Sequence, residues 1–193
     1  RALQPRVGRF LKGSSQTLAK SLAAAGITLY EGRGVCAGKG QAIVRSESGE
    51  EMLTADNIIL SCGSSSASFP GLTPDGDAVL DSTGVLNLPE VPESLIIVGA
   101  GAIGLELGDF FGMMGSKITI VEAAPHIAPT EDADIAKEMD RVQSKAGRTC
   151  ITGVMAKSLV TKDGQAELTL GDGRVLTASK ALVAVGRTPN TAG

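Results

Sequence analysis

Six residues, Gly99-Ala100-Gly101-Ala102-Ile103-Gly104, separate an apolar run, Leu95 to Val98, from an amphipathic stretch, Ala102 to Met114. An acid, Glu122, closes a second apolar run, Ile118 to Val121, 18 residues beyond the last glycine. Strand, glycine turn, helix, strand and acid in this order form the pattern of a dinucleotide pyrophosphate cradle. Gly99 is expected to make the tight turn, Gly101 to let phosphate approach the backbone, and Gly104 to let helix pack on strand. The helix N-terminus adds free N–H groups and a positive dipole end. A carboxylate at Glu122 accepts hydrogen bonds from the adenosine ribose hydroxyls and repels a 2′-phosphate. Residues 123–128 hold no Arg or Lys to receive such a phosphate, so NAD is expected over NADP.

Other reactive side chains are sparse. Glu106, two residues past the last glycine on an otherwise apolar helix, either faces the cofactor cleft, the favoured reading, or points to solvent. His126, the single histidine, sits in a Pro-flanked loop without a visible partner and reads as a surface residue, so no general acid or base is assigned. Cys36, Cys62 and Cys150 have no metal-type spacing and are expected to be small buried residues. No catalytic residue and no metal site are expected within the chain.

The elements that position the cradle follow from pattern. Helical material from residue 1 places Val7, Phe10 and Leu11 on one face, and a helix over 17–25 stops at Gly26. A short strand at 27–30 follows, then a meander near 34–37, 41–45 and 51–54, and a buried strand at 57–60. Residues 64–94 are rich in Ser, Pro, Gly and Asp and read as a crossing between two domains. After the cradle, a helix over 132–145 carries Ile135, Met139 and Val142 on one face and ends before Gly147. Strand 149–152, a second meander near 154–160, 165–170 and 174–177, and a buried strand at 181–185 complete the pattern.

The two halves match at a nearly constant offset. Ala25-Gly26 corresponds to Ala146-Gly147, Gly32 to Gly153, Leu53-Thr54-Ala55 to Leu176-Thr177-Ala178, and Gly63 to Gly186. This predicts a duplicated nucleotide-binding domain. A first glycine fingerprint is accordingly expected upstream of Arg1, in a longer parent chain.

Composition narrows the function classes. The chain has 193 residues, a net charge of −3 and no basic run, which argues against a nucleic-acid partner. The longest apolar stretch, 95–111, carries Glu106 and Asp109 and is not expected to span a membrane. No export signal is visible, and a cytoplasmic location is expected.

The stretch Val91-Pro92-Glu93-Ser94-Leu95-Ile96-Ile97-Val98-Gly99-Ala100-Gly101-Ala102-Ile103-Gly104-Leu105-Glu106-Leu107-Gly108, with Val121-Glu122 and Val185-Gly186-Arg187-Thr188-Pro189-Asn190, closely resembles the dihydrolipoamide dehydrogenase family. Phe69-Pro70-Gly71 and Asp81-Ser82-Thr83-Gly84 extend the likeness. That family lies within the flavin-dependent pyridine nucleotide-disulfide oxidoreductases. The resemblance implies an α/β chain of two Rossmann-like dinucleotide-binding domains, each with an antiparallel meander. The first, residues 1–90, would be the later, incomplete part of an FAD domain, and the second, 91–193, an essentially complete NAD domain. It implies NAD contacts along Gly99, Ala100, Gly101, Ala102, Ile103, Gly104, Leu105 and Glu106, and at Glu122, Val154 and Gly186. It implies FAD contacts at Gly34, Cys62, Gly63 and Ser64, and a Glu106 partner lysine outside the chain. Ser61-Cys62 stands where the family usually has Ala-Thr, so a threonine hydroxyl contact is lost.

By the same resemblance, the parent would oxidise dihydrolipoyl groups through a redox disulfide and FAD to NAD. Its partner would be the lipoyl domain of a 2-oxo acid dehydrogenase or glycine-cleavage complex, and it would form a homodimer through a C-terminal domain. The redox Cys-x4-Cys pair and the His-Glu base of that family are absent from these 193 residues, so no lipoamide turnover is expected of them alone. Two alternatives remain open: another flavin NADH oxidase or disulfide reductase, and a non-catalytic NAD-binding module.

Overall fold

The computed structural model describes the backbone of residues 3–192 and the side chains from residue 6. The chain forms two compact units, Arg1–Gly63 with Pro189–Gly193, and Ser64–Thr188.

In the first unit one helix, α1 (Leu3–Ala24), runs through both stretches that the sequence marks as helical. Gly26, at φ +72°, ends it in the left-handed conformation that glycine adopts without a Cβ penalty. Strands β1 (Arg33–Gly38), β2 (Gln41–Ser46) and β3 (Gly49–Thr54) form the expected antiparallel meander. The strands expected at 27–30 and 57–60 do not form. Both runs are apolar enough for a parallel sheet, but no neighbouring strand among the described residues takes their backbone hydrogen bonds. Ile59 is accordingly 90% exposed. No described residue of this unit is fully buried. Cys36 and Cys62 are exposed rather than buried, in a unit whose described residues form no fully buried core over them.

The second unit is built on a five-stranded parallel sheet. Its elements in chain order are β4 (Ser64–Ser66), β5 (Val79–Leu80), α2 (Ser82–Leu86), β6 (Ser94–Val98), α3 (Ala102–Met113), β7 (Lys117–Val121), α4 (Ala133–Lys145) and β8 (Thr149–Ile151). They continue with β9 (Ala156–Lys162), β10 (Gln165–Leu170), β11 (Val175–Ala178), β12 (Lys180–Val183) and β13 (Arg187–Pro189). The sheet order is β5-β12-β6-β7-β8, while β9, β10 and β11 form a separate antiparallel meander and β13 pairs with β4. The fold is thus α/β, a parallel sheet joined to antiparallel strands.

The pleat explains why the strand sequences are apolar throughout. Leu95 and Ile97 of β6, Ile118 and Ile120 of β7, and Leu182 of β12 face a core shared with Leu105 and Phe111 of α3. Their neighbours Ile96, Val98, Val121, Ala181 and Val183 face a second core with Leu159, Leu168 and Leu170 of the meander. A sheet buried on both faces needs near-continuous hydrophobic strands. Residues 64–94, read as a crossing, pack with this unit and supply its edge strand β5, parallel to β12. Asp81 caps α2 by accepting from the Gly84 N–H at 2.7 Å. Helix α4 forms as expected but buries Ala136 and Gln143, leaving Ile135 and Val142 exposed. Among the described residues no helix is long and apolar enough to cross a membrane, and no cluster could hold a metal ion.

Candidate functional site

The chain leaves β6 towards β7 on one side of the sheet, while β12 lies on the other side of β6. The carboxyl ends of β6 and β12 therefore flank a point where strand order reverses, the place where open α/β sheets bind ligands. The glycine turn sits at this point. Gly99 has φ +103°, and a Cβ there would lie 2.4 Å from the Ala184 carbonyl oxygen just beyond β12, so both conformation and contact require glycine. Gly104 is buried, and its Cβ would lie 2.0 Å from the Gly99 oxygen and 3.2 Å from Ile97 Cγ2. It sets how closely α3 lies on β6. Gly101 differs: it has φ −77°, and no atom within 4 Å of where its Cβ would stand. It is the N-cap of α3, with no side chain capping the helix start.

The open space at Gly101 belongs to a cavity of about 810 Å³. Gly99, Gly101, Glu122 and Gly186 line it, together with Val98, Ala123, Val185 and Ala156. Glu122 follows β7, and its carboxylate accepts from two backbone N–H groups, Ala100 at 2.7 Å and Ala124 at 2.8 Å. Among the described residues it is the single carboxylate on the cavity wall, and Lys157 of β9 the single amine. Phe69, Pro70 and Met155 make the rim apolar, with Phe69 and Met155 largely exposed.

The other residues singled out from sequence are placed variously. Ala100 and Leu105 are buried in the helix-side core, so only their backbones are open to a ligand. Ala102 and Glu106 are exposed on α3 and Ile103 is half-buried; Glu106 stands outside the cavity wall. Val154 is half-buried against the meander-side core, with its N–H donating to the Glu122 carbonyl at 3.3 Å. In the first unit, Gly34 is exposed in β1, opposite Val44 of β2. The Cys62 carbonyl accepts from Asn190 Nδ2 at 3.0 Å, and Gly63, at φ +71°, accepts from the Asn190 N–H at 3.1 Å. Ser64 Oγ accepts from Arg187 Nε at 2.7 Å in the second unit. His126 is exposed, its ring Nδ1 3.0 Å from the Ile127 carbonyl oxygen.

Cys150 is half-buried rather than buried. Burial pushes its thiol pKa up, Asp140 adds to the rise, and Arg148 opposes it. Such a thiol is a poor nucleophile at neutral pH.

Lys157, Met155 and Gly171 escaped the sequence reading because the meander, folding back over the sheet, brings them to the cavity from positions far from any glycine pattern. No local signal marks them. Phe69 and Pro70 were visible only through family likeness.

Comparison with known proteins bears on this geometry. The family model for pyridine nucleotide-disulphide oxidoreductases matches residues 5–193. Dihydrolipoyl dehydrogenase 3 of Pseudomonas putida is 36% identical over 169 residues, which cover 84% of this chain and 36% of that enzyme. The dihydrolipoyl dehydrogenase of Chlorobaculum tepidum is 38% identical over 180 residues, 91% of this chain and 38% of that enzyme. Among solved structures, LpdA from Mycobacterium tuberculosis superposes with a TM-score of 0.88 at 28% identity, covering 98% of this chain and 43% of that one. The chain thus spans little more than a third of the length of these two curated relatives.

Proposed function

The chain belongs to the pyridine nucleotide-disulphide oxidoreductase family, and we propose that residues 91–193 are the NAD-binding module of a dihydrolipoamide dehydrogenase. The observation that carries this reading is the pairing of an open, uncapped helix start at Gly101 with a carboxylate at Glu122 on one cavity wall. Gly101 and the α3 N-terminus would hold the pyrophosphate, since the free N–H groups and the helix dipole there favour negative charge. Glu122 would accept from the adenosine ribose hydroxyls, Gly186 would border the remainder from the cavity wall, and Val154 would serve by family likeness. These residues fit the group: the cavity is large enough, and glycine stands where a side chain would fill it. When bound, NAD supplies a hydride acceptor. The chain's own residues bind it, orient it and, through the apolar rim, limit water.

The remaining assignments extend the same reading to the parent enzyme. Residues 1–90 are the later part of an FAD domain and 91–193 an NAD domain, both Rossmann-like. Its activity, oxidation of protein-bound dihydrolipoyl groups of a 2-oxo acid dehydrogenase or glycine-cleavage complex, is supported by the similarity to the two dihydrolipoyl dehydrogenases. Homodimerisation is likewise proposed on that resemblance, and a cytoplasmic location on the sequence reading. Gly34, Cys62, Gly63 and Ser64 would be this chain's contacts to FAD in the parent enzyme, and no step is routed through flavin. Glu106 would serve in the parent only with a partner from outside these residues.

Calorimetric titration with NAD and NADP tests the module. NAD is expected to bind, and NADP at least tenfold more weakly, a difference of about 1.4 kcal/mol or more. Equal affinities would remove Glu122 from the ribose site, and failure of both to bind would remove the cavity from consideration.

A further inference from the structure

The two hydrogen bonds of Glu122 join two different turns. Its Oε2 accepts from the N–H of Ala100, inside the glycine turn after β6, and its Oε1 from the N–H of Ala124, in the turn after β7. The Ala100 peptide is held from its other side as well, its carbonyl accepting from the Ala128 N–H at 2.9 Å. The carbonyl of Ala124 accepts from Gly153 N–H at 2.8 Å, and the Glu122 N–H donates to the Ile151 carbonyl at 2.8 Å. Ala100 is fully buried. With the carboxylate removed its N–H loses a fixed acceptor, and water entering from the cavity that Glu122 lines could satisfy it without holding the turn in place.

We propose that Glu122 is a positioning residue for the pyrophosphate cradle, its carboxylate tying the glycine turn to the turn after β7 before any nucleotide arrives. This rests on the dinucleotide reading of the cavity and adds a second role to the side chain that the reading assigns to ribose. The roles are compatible. An ionised carboxylate offers about four lone-pair sites on its two oxygens, and the two backbone donors occupy one on each. Ribose hydroxyls can use the others without releasing either turn. The conformation of Gly101 at the α3 N-terminus then depends on a side chain that would meet the ligand only at its sugar. Glutamine cannot replace it, because its single carbonyl oxygen serves one turn and its amide presents N–H to the other.

A ligand that keeps both phosphates but lacks the ribose hydroxyls separates the two roles. ADP and 2′,3′-dideoxy-ADP are titrated into the full chain and into its Glu122→Ala and Glu122→Gln variants, with thermal unfolding recorded for each. If the carboxylate positions the cradle, both variants bind dideoxy-ADP at least fivefold more weakly than the unmutated protein does. Variants that lose affinity for ADP alone, with dideoxy-ADP unchanged within twofold, would overturn the proposal. Equal binding of ADP and dideoxy-ADP by the unmutated protein would instead discard the ribose role and leave the positioning role to the variants. Should the variants not fold, or neither nucleotide bind, the unmutated protein decides. A trans-hydrogen-bond NMR coupling between the Ala100 amide nitrogen and the Glu122 carboxyl carbon is expected, and its absence would refute the tie.

Discussion

The cradle glycines can be told apart by substitution, because the space around each differs. In Gly101→Ala the new methyl meets no protein atom within 4 Å, and φ −77° with ψ −175° is ordinary extended backbone for alanine. Reduced freedom of the unfolded chain favours the variant by about 0.4–1 kcal/mol. Loss of glycine at a helix N-cap opposes this by an amount of the same order. Net stability should therefore change by no more than about 0.5 kcal/mol. In Gly104→Ala the methyl lies 2.0 Å from the Gly99 oxygen, a backbone atom that no rotamer change can remove. Ordinary contact begins near 3.4 Å, so α3 must lift from β6 by about 1.4 Å. Overpacking of this kind costs about 1–3 kcal/mol, or roughly 5–10 °C in Tm for a unit of this size. Both substitutions should weaken NAD, Gly101→Ala by at least tenfold through the lost phosphate approach. The chain has no Trp, so unfolding is followed by circular dichroism, with calorimetry for NAD. The reasoning fails if Gly101→Ala destabilises the protein as much as Gly104→Ala, or if it folds normally and binds NAD unchanged.

Three further outcomes are expected. Asp75 is desolvated in part, but hydrogen bonds from Thr161 Oγ1 and the N–H groups of Asp77 and Val79 outweigh that and hold its carboxyl below the usual range. A depressed folded pKa stabilises above the unfolded value and loses its effect as pH falls. Because Asp75 is exposed, Asp75→Asn should cost no more than about 1 kcal/mol at pH 7, and the difference from the unmutated protein should shrink as pH falls below the usual carboxylate range in urea titrations. Toward a thiol reagent such as DTNB at pH 8, Cys36 and Cys62, both exposed, should react quickly and Cys150 slowly; three equal rates would contradict the burial and raised pKa of Cys150. Arg148, 7% exposed, pairs with Asp109 Oδ1 at 2.6 Å and Gln143 Oε1 at 2.8 Å. Arg148→Ala leaves the buried Gln143 amide without that partner and should cost about 2 kcal/mol in denaturant unfolding, whereas a loss under 0.5 kcal/mol would show that water replaces the guanidinium.

How much of this was legible depended on whether the signal was local. The cradle is a local pattern: tight turn, open helix start and close packing all follow from glycines within six residues, and Glu122 from the end of the next strand. The wall opposite is not local. Lys157 and Met155 reach the cavity because β9 pairs with β10 and the meander covers the sheet, a tertiary arrangement with no mark in their own neighbourhood. Edge strand β5 was hidden for a related reason. Two apolar residues among Pro, Gly and Asp do not read as a strand, and Val79 is placed by the Asp75 side chain on its N–H and by β12 beside it. Helix α4 shows the limit of periodicity, which found the helix but not the buried face. Gln143 is buried because Arg148 satisfies its amide, so the inward side is set by a hydrogen bond rather than by an apolar stripe.

The two stretches that match in sequence carry the same lesson for strands. Gly26 and Gly147, at φ +72° and +75°, each end a helix, and an antiparallel meander of three strands follows in both stretches. The meanders form in both because hairpin neighbours supply each other's hydrogen bonds. The runs 27–30 and 57–60 correspond to β8 and β12, yet only the second pair forms strands. Apolar sequence is similar in the two cases; what differs is the presence of β6 and β7 alongside. A parallel strand is specified by its own residues but exists only with neighbours that lie far away in sequence. Ile58, Ile59 and Leu60 thus keep a strand's composition while remaining exposed, whereas Ala181, Leu182 and Val183, between β5 and β6, are buried and carry the chain to Gly186 at the cavity.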